Sequence, residues 1–141
     1  MPRSTAGKEG VMKKLVTLLL TMLLVLSLTG CSQTFVRIGE KSEIYTEEDI
    51  EEAFDVALKE FRREFDGCTL IEMGYAGDET RSEQKEWAAQ YKADECIILV
   101  CSFETDGRVG PLNPNSVYEN YELILTRTGG GNWIVQTGGY G

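Results

Sequence analysis

The run Tyr45-Thr46-Glu47-Glu48-Asp49-Ile50-Glu51-Glu52-Ala53-Phe54-Asp55-Val56-Ala57-Leu58-Lys59-Glu60-Phe61-Arg62-Arg63-Glu64-Phe65-Asp66-Gly67 decides the fold. Ile50, Phe54, Ala57, Leu58, Phe61 and Phe65 recur at helical spacing and make one apolar face. Thr46, with an acid three residues on, has the form of a capping box, and Tyr45 is placed to staple onto Ile50. Glu47, Glu48 and Asp49 suit the positive end of the helix dipole, while Lys59, Arg62 and Arg63 suit the other. Asp66-Gly67 ends the helix. Three phenylalanines on one face need a broad apolar partner, and the flanking sequence supplies strands.

Upstream, Phe35-Val36-Arg37-Ile38 alternates and stops at Gly39, the pattern of a short strand. Downstream, Cys68 to Tyr75 reads as a strand. A second helix follows, with Thr80 and Glu83 as a box and Trp87, Ala88 and Tyr91 on its inner face. Glu95 to Phe103 holds Cys-Ile-Ile-Leu-Val-Cys, a near-continuous apolar run that belongs at the centre of a sheet. Asp106 to Ser116 is a long loop with two of the three prolines. Val117 to Arg127 is a strand, Thr128 to Gly131 a turn, and Asn132 to Thr137 the last strand. A short hairpin and a longer connection make the final three strands antiparallel. The expected class is α+β: a long amphipathic helix on a curved antiparallel sheet, with a second, shorter helix.

The N-terminal part has another character. Residues 1–30 hold four of the 14 basic and one of the 23 acidic side chains, so the rest of the chain carries a formal charge of −12. That acidity excludes nucleic acid, whose phosphates need a Lys/Arg excess, and it opposes charge-driven adhesion to anionic lipid. Lys13-Lys14 precede a 14-residue apolar run, Leu15 to Leu28, followed by Thr29-Gly30-Cys31. A basic end, an apolar stretch and small residues are the three parts of a secretory signal peptide. A spanning helix needs about 20 apolar residues, so a permanent span is the weaker reading.

Leu28-Thr29-Gly30-Cys31 resembles the bacterial lipobox: apolar, two small residues, then the cysteine whose thiol takes a thioether-linked diacylglycerol. The expected organisation is a signal peptide over 1–30 cut between Gly30 and Cys31, a lipidated tether over 31–34, and one domain over 35–141. Two acyl chains, each contributing about 0.8 kcal/mol per buried methylene, anchor stably without help from charge. The membrane is then a partner through palmitate-type chains, and the domain stands on the extracytoplasmic face of the cell membrane. Met12-Lys13-Lys14 is also a more usual signal-peptide start than Met1.

Gly67-Cys68-Thr69-Leu70 after a Thr-Glu-Glu-Asp-Ile helix, Tyr75 at a strand end, Asn113-Pro114-Asn115-Ser116 before Tyr118, and Asn132-Trp133 near a terminal Gly-Tyr are similar to small lipoproteins of unknown function from Gram-positive bacteria. The resemblance covers about residues 35 to 141. It implies the cone-shaped helix-on-sheet fold of nuclear transport factor 2, close to a cystatin-like sheet, and it implies no activity. Cys96, Cys101 and the glycine-rich tail depart from that pattern.

No catalytic or metal site is legible, and no cofactor is expected. The chain has no histidine, the commonest general base and metal ligand. Cys96 and Cys101 are five apart on one strand and point to opposite faces, while Cys68 can pair with one of them only from a neighbouring strand; the alternative is three buried thiols. Zinc lacks ligand count and spacing. A calcium loop lacks alternating oxygens around a glycine, and no pair of carboxylates is singled out for glycoside hydrolysis. Glu47, Glu48, Asp49, Glu51, Glu52 and Asp55 make a solvated face. Tyr75, Tyr118, Tyr121, Trp133 and Tyr140 line a small-ligand pocket if they face the open side of the sheet; if they face the helix they are core. The leading expectation is a membrane-tethered, non-catalytic domain that binds a small ligand or an envelope protein. A carboxylate-based hydrolase or isomerase in the same fold and a structural accessory of the envelope stand as alternatives.

Overall fold

A computed structural model describes residues 6–26, 36–39, 41–107 and 110–140. The chain divides into two compact units, Met1–Gln33 and Thr34–Gly141. In the first, α1 spans Ala6–Leu26, and Val11, Met12, Leu15, Val16 and Leu18 to Leu20 are all exposed. Among the described residues, no helix is long and apolar enough to cross a membrane.

The second unit is α+β. Its strands are β1 (Val36–Ile38), β2 (Cys68–Tyr75), β3 (Glu95–Thr105), β4 (Val117–Arg127) and β5 (Ile134–Gly139), and they form one sheet in chain order. Helix α2 (Glu47–Glu64) lies between β1 and β2, and α3 (Arg81–Gln90) between β2 and β3, after a single 3₁₀ turn at Asp78–Thr80. β2 to β5 pair antiparallel, whereas β1 pairs parallel to β2. The departure from a wholly antiparallel sheet has a simple cause: a helix separates β1 from β2, and a crossover of that length returns the chain in the same direction.

α2 starts as its sequence requires. Thr46 Oγ1 accepts from the Asp49 N–H at 3.1 Å, and Asp49 Oδ2 accepts from the Thr46 N–H at 3.0 Å. The helix buries Ile50, Ala53, Phe54, Ala57 and Phe61 against alternate residues of the central strand, Ile97, Leu99, Cys101 and Phe103. The intervening Cys96 and Ile98 belong to a second cluster with Ala88 of α3 and Ile124 of β4. The two helices therefore take opposite faces of β3, which explains its unbroken apolar run.

Three bulges adjust which residues point at α2. In β4, Cys101 pairs with Tyr121 but Phe103 with Tyr118, so one extra residue is absorbed there. Asn120 takes a left-handed φ of 55° at that place, which asparagine tolerates better than most residues. Tyr118 and Tyr121, three apart, consequently both touch the Phe103 ring. A second bulge at Ile71 lets Leu70 and Met73 share the α2 cluster, and a third falls in β5 between Val135 and Thr137. The last strand runs two residues later than the expected Asn132–Thr137, because Trp133 turns into the core and donates from Nε1 to the Asp49 carbonyl at 3.1 Å.

The expected box at α3 does not form. Thr80 makes no capping bond to α3, and its Oγ1 donates instead to the Gly77 carbonyl at 2.7 Å. The inner face of α3 is Gln84 and Ala88, with Trp87 and Tyr91 half-buried.

Candidate functional site

The aromatic residues singled out from sequence do not share one pocket. Tyr75 and Trp133 are buried around Tyr45, with ring centroids 5.9 and 6.0 Å from it. Tyr118, Tyr121 and Tyr140 form a separate group, in which Tyr118 and Tyr121 pack on Phe103. Tyr140 is 60% exposed at its edge. Tyr75, Trp133, Tyr118 and Tyr121 belong to or pack against the α2 cluster and are core. Gly30 and Cys31 lie outside the described residues.

Around Tyr45 the core is polar and fully bonded. Its hydroxyl donates to the Cys96 carbonyl and towards Gln84 Oε1 at 3.1 Å. Gln84 Nε2 donates to the Tyr75 hydroxyl at 3.0 Å and to Thr80 Oγ1 at 2.6 Å. The Tyr75 hydroxyl donates to Asp78 Oδ1 at 3.0 Å, which also takes the Ser42 hydroxyl at 2.6 Å. Burial pushes the Tyr45 and Tyr75 phenols up, which keeps them protonated donors. No buried side-chain polar atom lacks a partner among the described residues. A satisfied network of this kind fixes geometry: it ties the segment before α2 to α3 and β3.

Arg127 fixes the same segment from the other side. Its Nη1 lies 2.8 Å from Asp49 Oδ1 and its Nε bonds Glu95, with the guanidinium 4.4 Å above the Trp133 ring. Although burial pulls the other way, the backbone and hydroxyl bonds from Thr46 and the Arg127 charge hold the Asp49 carboxyl below its ordinary value.

This scaffold borders a cleft of about 610 Å³ between β1, the segment at 41–46 and α2. Tyr45, Ile50 and Phe54, each buried, give it an apolar lining. Its polar lining comes from Arg37, Lys41, Ser42, Thr46, Glu47 and Glu51. Arg37 pairs with Glu51, lies 3.9 Å from Asp55, and stacks its guanidinium 4.9 Å from the Phe54 ring centre. The volume is that of a small-molecule site, with three largely buried apolar residues behind a rim of six polar ones. Sequence reading missed it because its residues come from three segments that only the fold brings together.

The other chemistry-bearing groups are scattered. Cys96 and Cys101 sit on opposite faces with thiols pushed up to about 12 by burial. Cys68 pairs in register with Thr105, four residues beyond Cys101, and all three thiols are free. Glu122 is half-buried on the α3 side and is raised by burial and then by Glu83. Among the described residues no group of three or more His, Cys, Asp or Glu side chains is placed to hold a metal. Comparison of the chain with protein-family profiles, curated proteins and solved structures finds no match.

Proposed function

We propose that this chain is an extracytoplasmic lipoprotein, cut between Gly30 and Cys31 and lipidated on Cys31, whose domain is a non-catalytic binding module. The sequence Lys13-Lys14, the apolar run and Leu28-Thr29-Gly30-Cys31 support the anchor. The cleft between β1 and α2 carries the binding half: an apolar lining of Tyr45, Ile50 and Phe54 under a polar rim, held by the Gln84 and Arg127 networks. Under the same reading the sheet curves around a long α2, as in the nuclear transport factor 2 shape that the sequence resembles. The charge that excludes nucleic acid also leaves partner classes to small ligands and envelope proteins.

Gly39 offers a direct test. It lines the cleft, is exposed, and a Cβ built on it meets nothing within 4 Å. Gly39→Trp therefore adds an indole at the cleft wall, outside the packed core. A thermal-shift screen against metals, sugars, peptides and lipids is expected to give a hit for the wild type that Gly39→Trp abolishes. A hit retained by Gly39→Trp places the ligand elsewhere and overturns the reading.

A further inference from the structure

We infer that the cleft takes a zwitterion with an apolar body, of the class of a free apolar amino acid. This rests on the reading of the cleft as a binding site and names the chemistry that fits it. Two bases and two acids line the cleft: Arg37, Lys41, Glu47 and Glu51. One of each sign is already engaged, since Arg37 pairs with Glu51 and stacks on Phe54. Lys41 and Glu47, both exposed, make no ion pair among the described residues, although both line the same cleft.

The two remaining charges cancel, in a domain whose formal charge beyond residue 30 is −12. A simple anion finds Lys41 but is repelled by Glu47 and by the field of the domain; a simple cation finds Glu47 but is opposed by Lys41. A molecule bearing both charges satisfies both: its carboxylate accepts from the Lys41 ammonium and its ammonium donates to the Glu47 carboxylate. Charge-assisted bonds of this kind fix orientation. Its apolar part then lies against Tyr45 and Ile50, the apolar lining that Arg37 does not cap. The cleft volume of about 610 Å³ lies within the usual range for small-ligand sites.

The test is isothermal titration of the full chain in detergent with leucine, N-acetyl-leucine, leucinamide and phosphoethanolamine. Leucine is expected to bind at least about tenfold tighter than either singly charged analogue, and tighter than phosphoethanolamine, which has both charges and no apolar body. Lys41→Met and Glu47→Gln are each expected to weaken leucine about tenfold, whereas Lys59→Met, on the exposed part of α2, leaves it unchanged. Circular dichroism confirms that each variant is folded. Equal binding of N-acetyl-leucine or leucinamide overturns the zwitterion, and tighter binding of phosphoethanolamine overturns the apolar body in favour of a headgroup. Silence with all four probes, alongside a screening hit that Gly39→Trp abolishes, overturns this inference and leaves the cleft reading standing.

Discussion

Gly138 and Gly139 are neighbours on β5 that should respond to alanine in opposite directions. Neither has a left-handed φ, so neither substitution strains the backbone. A Cβ on Gly138 would lie 2.8 Å from Tyr121 Cε1, 3.0 Å from the Glu122 carbonyl oxygen and 3.0 Å from Leu123 Cδ2. Ordinary carbon contacts begin near about 3.5 Å. The carbonyl belongs to the β4 backbone and the Tyr121 ring is wedged against Phe65 and Phe103, so relief needs movement of packed groups. Overpacking of this sort costs about 1–3 kcal/mol, less the roughly 0.5–1 kcal/mol that alanine recovers over glycine within a strand. The net loss, centred near about 1 kcal/mol, lowers the Tm by roughly 4–8 °C for a domain of this size. Gly139 meets nothing within 4 Å, and Gly139→Ala should raise the Tm by a few degrees. Thermal unfolding by circular dichroism reads both. If Gly138→Ala melts at or above Gly139→Ala, Tyr121 does not lie over β5 and the register of the last strand pair is wrong.

Glu122→Gln is expected to stabilise the protein at pH 7: burial and Glu83 raise this carboxyl, so its charged form opposes folding, and the gain should shrink as pH falls and Glu122 takes up its proton. A loss of stability at pH 7 in urea titrations would contradict this. Asp49 and Asp78 act the other way: Thr46 bonds and Arg127 lower the first against burial, and bonds from Ser42 and Glu43 lower the second. Their native forms bind fewer protons than the unfolded chain, so stability present above the ordinary carboxylate range is lost as pH drops below about 4. Asp49→Asn should flatten that loss, and an unchanged slope would remove Asp49 from the account. In guanidinium without reductant Cys68, Cys96 and Cys101 should all titrate as thiols, whereas in the native protein Cys96 and Cys101 should resist Ellman's reagent; a disulfide from Cys68 to Cys96 or Cys101 would contradict the register of β2 and β3.

How far the sequence was legible follows from what each residue depends on. The Thr46–Asp49 box and the apolar face of α2 are local patterns and appear as read. So does the central place of β3, because a strand covered on both faces must be apolar throughout. The bulges are not local: nothing in Tyr118-Glu119-Asn120-Tyr121 announces that Asn120 will take a positive φ and turn both tyrosines to one side. Gln84 was missed as a core residue because its burial makes sense only beside Tyr45 and Tyr75, 39 and nine residues away. Its helical spacing from Ala88 was the available signal. The cleft was out of reach for the same reason, since Arg37, Lys41 and Phe54 share no pattern until β1 is seen to lie beside β2 and near α2.

In the proposed function the domain reaches the membrane through a lipid on one sulfur, Cys31. Radiolabelled palmitate supplied to a bacterial host expressing the wild type and Cys31→Ala tests it directly. Label is expected in the wild-type protein, recovered with the membrane fraction, and none in the variant. Equal labelling and equal membrane recovery of the two would contradict it.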